Sequence, residues 1–412
     1  MLNLHKTNAK HHNNIMTTLF LVTILLGGTI IAPLLPSYTV LAIDTLHPGQ
    51  VAGISNVTKV AAGFIHSLFL KSDGTVWTAG DNSSGQLGDN TTTGRCTVVQ
   101  VVINTGGTPL TNVVEIAAGF LHSLARKSDG TVWAWGDNTY GQIGDTTTGT
   151  DRLFAVQVSG VSSAIGIAAG GDHNLALISG GTVKSWGRND FGQLGDNTTT
   201  NRSTAVTVNT GALSDATQVS AGRFHSLALR GNNSGKLKAW GKGDEGQLGS
   251  NAFSNILLPS TMADSTGATF TDASYVSGGI NFTVVTTTGG KVWATGQGGN
   301  GQLGSGCSIF SSGLVKIPSY SGVSKAVTGS LSEHDIALKT NATLNGWGRN
   351  DFGQVGDGST TNRCSPVSVL DSFGSPVSGF TDISANGLNS LAVKSDGTAW
   401  SWGDNLFCQL GR

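Results

Sequence analysis

The sequence predicts an all-β protein, a seven-bladed β-propeller of four-stranded antiparallel blades, and three observations carry that prediction. The first is a recurring stretch, seen in Gly80-Asp81-Asn82-Ser83-Ser84-Gly85-Gln86-Leu87-Gly88-Asp89, whose glutamine returns at Gln142, Gln193, Gln247, Gln302, Gln354 and Gln409. The steps between successive glutamines are 56, 51, 54, 55, 52 and 55 residues. A near-constant period above fifty marks a repeat array. The second is the segment upstream of each copy, where an alternating run, a Ser-Asp-Gly turn and another alternating run spell two strands joined by a hairpin. The third is the placing of all nine tryptophans at two positions of the second run, Trp77, Trp133, Trp293 and Trp400 at one, and Trp135, Trp186, Trp240, Trp347 and Trp402 two residues later. Residues two apart share a strand face, so every tryptophan points into the packing between neighbouring sheets. Seven strand-rich units, none able to bury its own faces, are best served by closing into a ring.

Residues 1–42 precede the repeats. They hold Lys6, Lys10 and three histidines but no acid, then an apolar run from Ile15 to Leu35, then Val40-Leu41-Ala42. A basic start, a hydrophobic centre and small residues before the next segment form a secretory signal, or a signal anchor if uncleaved. The propeller is assigned to residues 43–412, outside the cytosol. Removing residues 1–42 takes away two lysines, leaving 22 basic against 25 acidic residues, a formal charge of -3. A nucleic-acid binder carries a strongly basic surface, so that class is excluded. With 60 glycines and only 12% charged residues, the 38% hydrophobic content in strict register describes many short strands and turns rather than disorder.

Each unit contains strand A near Val60-Ala61-Ala62, strand B from Ser67 to Lys71, strand C from Thr75 to Gly80 and strand D from Thr97 to Val102. The chain ends directly after the seventh Gln-Leu-Gly, so the fourth strand of the last blade is expected from Ile43 to Asn56, which resembles the segments between repeats. An antiparallel meander puts the A–B turns and C–D loops on one face of the disk, face one, and the B–C hairpins and D–A linkers on face two. Two units deviate: the sixth has two extra residues before His334, and the fifth has Phe282 where others have histidine.

Ala61-Ala62-Gly63-Phe64-Ile65-His66-Ser67-Leu68, then Ser72-Asp73-Gly74-Thr75-Val76-Trp77, then Gly85-Gln86-Leu87-Gly88-Asp89 resemble the repeat of the regulator of chromosome condensation family, over residues 58 to 412. The resemblance implies the seven-bladed propeller independently. In architecture the chain is similar to the secreted bacterial members, the type II β-lactamase inhibitory protein among them. Arg188 and Arg349 follow Trp-Gly in units three and six, but the Gly-Trp-Arg-His-Thr sequence of the family's light-sensing branch is absent.

The candidate chemistry is repeat-symmetric. His66, His122, His173 and His225, with His334 displaced, suggest a metal, yet Phe282 and Asn389 interrupt the set and a turn histidine bonded to backbone explains it. Asp81, Asp137 and Asp404, and Asp89, Asp145, Asp196 and Asp357, suit turns whose side chains bond nearby amides. No catalytic constellation breaks the symmetry, so neither an enzyme, a metal nor a cofactor is expected. Of Cys96, Cys307, Cys364 and Cys408, the expectation is isolated thiols, with a bond from Cys408 to Cys96 or Cys364 as the alternative.

The function expected is a secreted, monomeric module that binds another protein through face one, with no nucleic acid and no membrane after leader cleavage. The alternatives are a glycan-binding or catalytic propeller, and a guanine nucleotide exchange factor, for which no unit is long enough to carry an inserted wedge. The candidate contact residues are Phe64, Ile65, Phe120, Leu121, Tyr140, Asp190, Phe191, Arg223, Phe224, Asp351, Phe352 and Phe407, an aromatic set with charges of the kind that makes interface hot spots.

Overall fold

The computed structural model describes residues 45–209, 213–231 and 236–412; the predicted leader, residues 1–42, lies outside them. Blade 1 consists of β2 (Val57–Ala62), β3 (His66–Lys71), β4 (Val76–Gly80) and β5 (Arg95–Gln100), hydrogen-bonded in that order. The same four-strand meander recurs as β6–β9 (residues 113–157), β10–β13 (164–207), β14–β17 (216–261), β18–β21 (273–316) and β22–β25 (323–368). Blade 7 has only β26 (Phe380–Asn386), β27 (Asn389–Lys394) and β28 (Ala399–Gly403) of its own, and β1 (Thr45–Gln50) completes it by pairing antiparallel with β28. The N-terminal strand thus closes the ring, which leaves no open blade edge at the seam.

The two tryptophan positions do share a face but are used differently. Trp135, Trp186, Trp240, Trp347 and Trp402 are fully buried between blades, and each withdraws ~200 Å² from water, worth about 5 kcal/mol of transfer free energy. Their indole N–H groups donate to the carbonyl of the repeat glutamine in the preceding blade, for instance Trp135 Nε1 to Gln86 O at 2.9 Å and Trp186 Nε1 to Gln142 O at 3.0 Å. Trp77, Trp133 and Trp400 are half-buried and cap the Ser-Asp-Gly hairpins, donating to Thr75, Thr131 and Thr398.

The histidines occupy a second repeating contact, here called a stitch. His66 Nε2 meets Ser123 Oγ of the next blade at 2.9 Å, and that hydroxyl donates to Gln86 O at 3.0 Å. Because the serine spends its one proton on the carbonyl, the ring Nε2–H is the donor. The same arrangement joins His122 to Asn174, His173 to Ser226, His225 to Thr283 and His334 to Ser390 at 2.8–3.0 Å. All five rings are fully buried. Burial, with a neighbouring histidine as the lesser cause, holds His66 near pKa 3. The glycine three residues upstream is needed because the ring lies over it: a Cβ on Gly63 would sit 2.2 Å from His66 Cε1. The histidines are structural, and among the described residues no group of three or more His, Cys, Asp or Glu side chains could hold a metal.

Two of the seven joints lack the stitch. Between blades 5 and 6, Phe282 replaces the histidine and Asp335 the hydroxyl residue, and both carboxylate oxygens of Asp335 are buried without a hydrogen-bond partner. Burial raises the Asp335 pKa well above the ordinary carboxylate value. Between blades 7 and 1, Asn389 replaces the histidine and both of its amide atoms are unpartnered. The Asp335 group gives a direct prediction. A carboxyl with a raised folded pKa is favoured below its unfolded value near 4, and its cost grows as pH rises toward the folded pKa. Asp335→Ser supplies a hydroxyl able to reach the Gln302 carbonyl and is expected to stabilise the fold by about 2 kcal/mol at pH 7. Thermal unfolding of the two proteins at pH 4 and 7 checks it, since the gain shrinks at pH 4 only if the carboxyl is the cause.

The expectation of isolated thiols is overturned. Cys96 bonds Cys408 and Cys307 bonds Cys364, so all four cysteines are in disulfides. The reason lies in the loop geometry. The glycine of a Gly-Gln pair, at positive φ, packs near the start of the next blade's outer strand, in most blades on its second residue: a Cβ on Gly141 would be 2.7 Å from Ser203 Cα, and one on Gly301 2.7 Å from Cys364 Cα. Cys408 stands at that glycine position with φ 64°, facing Cys96, the second residue of β5. Its partner was one of two alternatives open in the sequence; the Cys307–Cys364 bond was not among them, because Cys307 lies in an irregular loop whose path sequence spacing does not fix.

Candidate protein-binding face

Face one is built on C–D loops whose polar residues are consumed internally. Asn82 is fully buried, donating to Asp89 Oδ1 and to the Thr91 and Thr93 carbonyls while accepting from Leu87 N. Asp81, Asp137 and Asp404 accept from the amides of Gln86, Gln142 and Gln409. Asp89, Asp145, Asp196 and Asp357 pair with Arg95, Arg152, Arg202 and Arg363 at the start of the outer strands. These arginines escaped sequence reasoning, although their recurrence six or seven residues after the aspartate was a legible signal.

At the position of Asp81, blades 3, 4 and 6 carry Arg188, Lys242 and Arg349, and the repeat glutamines beside them, Gln193, Gln247 and Gln354, keep an unpartnered amide nitrogen. The cations turn outward instead. Arg188 pairs with Asp172 at 3.3 Å and Asp190 at 2.7 Å. Its guanidinium lies 4.6 Å from the Tyr140 ring centre and 5.0 Å from that of Phe224. Arg223 covers Phe224 at 4.8 Å, and Phe191 contacts Phe224 at 5.2 Å between centroids. Tyr140, Phe191, Arg223 and Phe224 are half-buried and Asp190 is exposed. The structure therefore brings six side chains from blades 2, 3 and 4 into one cation–π cluster. Asp351 belongs to a separate, smaller group around Arg349, which pairs with Glu333 at 3.0 Å and Asp351 at 2.6 Å, and Phe352 beside it is half-buried, its N–H donating to Gln354 Oε1 at 2.9 Å.

The other predicted contacts divide differently. Phe64, Ile65, Phe120 and Leu121 are buried, 5–8% exposed, in a cluster with Leu331, against which Phe407 and Ile280 pack half-buried. Phe64 and Phe120 stack at 4.9 Å between centroids. These four are corrected from surface contacts to a lid over the ring's inner end: the A–B turns lie nearest the axis, so their apolar residues meet one another rather than solvent. The two extra residues of blade 6 supply part of this lid, since they carry Leu331 inward, its N–H bonded to Asn386 Oδ1 at 2.8 Å. Replacing Phe64 by Ala is expected to cost about 3 kcal/mol of stability, read as a lowered melting temperature, rather than any affinity.

The channel was not foreseen. A cavity of about 270 Å³ is lined by Lys59, Glu115, Tyr275, Lys325 and Asp382 among others. All five occupy the third position of an inner strand, where six residue types occur over seven blades, lysine twice, the remaining two positions being Gly166 and Gln218. Lys325 pairs with Asp382, whose other oxygen accepts Val60 N of the next blade at 3.1 Å, and Glu115 pairs with Arg126 at 2.7 Å. Variation from copy to copy at one repeat position was the available signal. Elsewhere, Phe253, Ile309, Phe310, Leu406, Ile165 and Phe373 are the exposed large apolar residues among those described.

Blades, stitches and loops of this kind define a repeat-built propeller whose variable side chains lie on one face and along the axis. The regulator of chromosome condensation (RCC1) repeat matches residues 73–126, 129–177, 180–229, 234–286 and 343–393, and a second pattern of the same repeat matches 57–86, 113–142, 164–193, 216–247 and 380–409. The chain belongs to the RCC1 repeat family. The second pattern passes over blades 5 and 6, where Phe282 and the extra residues lie. The chain is similar to the ultraviolet-B receptor UVR8 of Arabidopsis thaliana, 29% identical over 86% of this chain and 78% of that protein. It is 32% identical to the probable E3 ubiquitin-protein ligase HERC4 of Homo sapiens over 61% of this chain but only 28% of that protein. Among solved structures, human WBSCR16 superposes with a TM-score of 0.70 at 21% identity, covering 87% of this chain and 89% of that one. Yeast RCC1 (Prp20), solved with Kap60, gives 0.67 at 20%, covering 84% and 80%. These structural likenesses establish the fold.

Proposed function

We propose that this chain is an extracytoplasmic propeller that binds another protein through face one, at the cluster of Tyr140, Arg188, Asp190, Phe191, Arg223 and Phe224. The observation that carries the reading is that these side chains are held half-exposed by cation–π and ion-pair contacts. Ordering them before binding reduces the entropy lost at an interface, and Tyr, Arg and apolar aromatics are the residues that dominate hot spots. Two disulfides support a site of action outside the reducing cytosol. The tryptophans offer little to a stacked sugar, since five are fully buried. Tyr140→Ala, Phe191→Ala and Phe224→Ala are expected to weaken partner binding by about 1–3 kcal/mol in at least two cases, with melting temperature nearly unchanged. Affinity capture by residues 43–412 from the secreting culture's own medium, quantified for each variant by mass spectrometry, supplies the partner and the comparison. Ser72→Ala and Ser128→Ala on face two are the controls; loss of binding there, with the aromatic variants binding normally, would move the site to the other face.

A further inference from the structure

The two joints that lack the buried histidine stitch are the two that carry disulfides. Cys307, in the C–D loop of blade 5, bonds Cys364 on the outer strand of blade 6, across the joint where Phe282 and Asp335 replace the stitch. Cys408, in the segment after β28 that takes the place of a C–D loop in blade 7, bonds Cys96 on the outer strand of blade 1, across the joint where Asn389 replaces the histidine. The five stitched joints have no disulfide. A covalent bond at the rim thus stands in for a hydrogen-bond chain at the core, twice, and blades 6 and 7 with β1 are the unit bounded by both.

The topology gives this unit hinges. The chain crosses the two joints only through residues 51–56 and 317–322, both D–A linkers and therefore on face two. Both disulfides are made on face one, one by a C–D loop and one by the equivalent segment after β28, and Cys96 and Cys307 are exposed to solvent there. The lid spans the same joints: Leu331 comes from blade 6 and Phe407 from blade 7, against Phe64 of blade 1 and Ile280 of blade 5. What remains across each joint besides packing is a set of single hydrogen bonds, among them Ala62 N to Ser384 Oγ, Val60 N to the Asp382 carboxylate and Ser67 Oγ to Gln409 O at one, and Ser277 Oγ to Thr328 O and Trp347 Nε1 to Gln302 O at the other, the neutral ones each worth only about 1 kcal/mol.

We propose that the ring is a redox-gated clamp, in which reduction of the two disulfides lets blades 6 and 7 swing on their face-two linkers and parts the lid, opening the axial channel toward face one. The reductant is a dithiol. For each protein disulfide it gives up two electrons and two protons, the S–S bond is replaced by two cysteine thiols, and the dithiol closes to its own disulfide. In an oxidising compartment the clamp stays shut; on transfer to a reducing one it opens without unfolding blades 1–5, whose joints keep their stitches.

Hydrogen exchange read by mass spectrometry on the folded protein, with and without dithiothreitol, tests this. Reduction is expected to raise amide exchange at least tenfold in residues 328–334, 386–389 and 64–66, and to leave residues 120–124 and 171–175 within about twofold. The triple variant Phe282→His, Asp335→Ser, Asn389→His restores a stitch at both joints, and in dithiothreitol its lid segments should exchange as slowly as in the oxidised parent. Replacing all four cysteines by serine should reproduce the reduced pattern without reductant. No change on reduction, or an equal rise at every joint, would overturn the proposal, as would a rise that the restored stitches fail to suppress. If the triple variant does not fold, the contrast between stitched and unstitched joints in the parent decides alone.

Discussion

Deleting Thr45–Gln50 is expected to convert a closed propeller into an aggregating one. β1 supplies the fourth strand of blade 7, pairing from Thr45 opposite Gly403 to Gln50 opposite Trp400 with a bulge between Thr45 and Gly49. Without it the outer edge of β28 is bare, an edge of the kind that templates pairing with another chain. The loss includes the ladder bonds, roughly 1 kcal/mol each. It also includes the contact of Leu46 with Gly353, which lies 2.7 Å from the leucine as a Cβ would be placed, and the support that β1 gives to the buried Val51. Together these amount to about 5 kcal/mol, a large part of the stability of an ordinary domain. The Cys96–Cys408 bond limits the damage, because it holds blade 7 to blade 1 independently of β1. The truncated protein in dithiothreitol should therefore fare worse than in its absence, and size-exclusion chromatography with light scattering reads both. A truncated chain that keeps the parent's size and melting temperature would mean that the seam is carried by something other than β1.

Acid should unfold this protein from pH 6 downward, earlier than carboxylate titration would bring about. Burial depresses the pKa of His66, His173, His225 and His334 to about 3, and lowers that of His122. Each ring is neutral in the fold and binds a proton readily once unfolded, with an ordinary pKa near 6.5. Between those values the unfolded state holds more protons, so stability is complete above pH 6.5 and falls as pH drops toward 3. At pH 4 the loss is roughly 3 kcal/mol for each of the four histidines held near 3, and four such groups together match the whole stability of an ordinary domain. Asp335 acts in the opposite direction over the same range, but it is one group against five. The check is the melting temperature from pH 7.5 to 4. A profile flat down to pH 5 would mean that the rings are already charged or open to water. Two or more His→Gln substitutions at stitched joints should flatten the profile, because an amide can donate to the same hydroxyl without titrating.

The fold was legible because each blade repeats its own instructions. A Gly-x-x-His turn, a Ser-Asp-Gly hairpin and a Gly-Gln-Leu-Gly loop are local signals, and seven in-phase copies multiply a weak signal into a firm one. The missing strand of blade 7 could be counted from the sequence, and β1 fills it. The histidines and aspartates were legible as structural for the same reason, since a residue needed in most blades serves the fold, but the histidines bond a side chain of the next blade and not, as expected, backbone in their own turn.

What only the tertiary structure decided lies where one blade meets another. Whether Phe64 or Phe191 faces solvent depends on what crosses the axis from other blades, and the sequence places no two loops together; the structure sends Phe64 into the lid and leaves Phe191 beside Phe224. Disulfide pairing depends on distances between neighbouring blades, and the Cα atoms of Cys96 and Cys408 come within 4.5 Å although 312 residues separate them. Period and alternation are properties of a single chain segment and survive in the sequence. Joints, lid and channel are properties of pairs and rings of segments, and they exist only once the ring has closed.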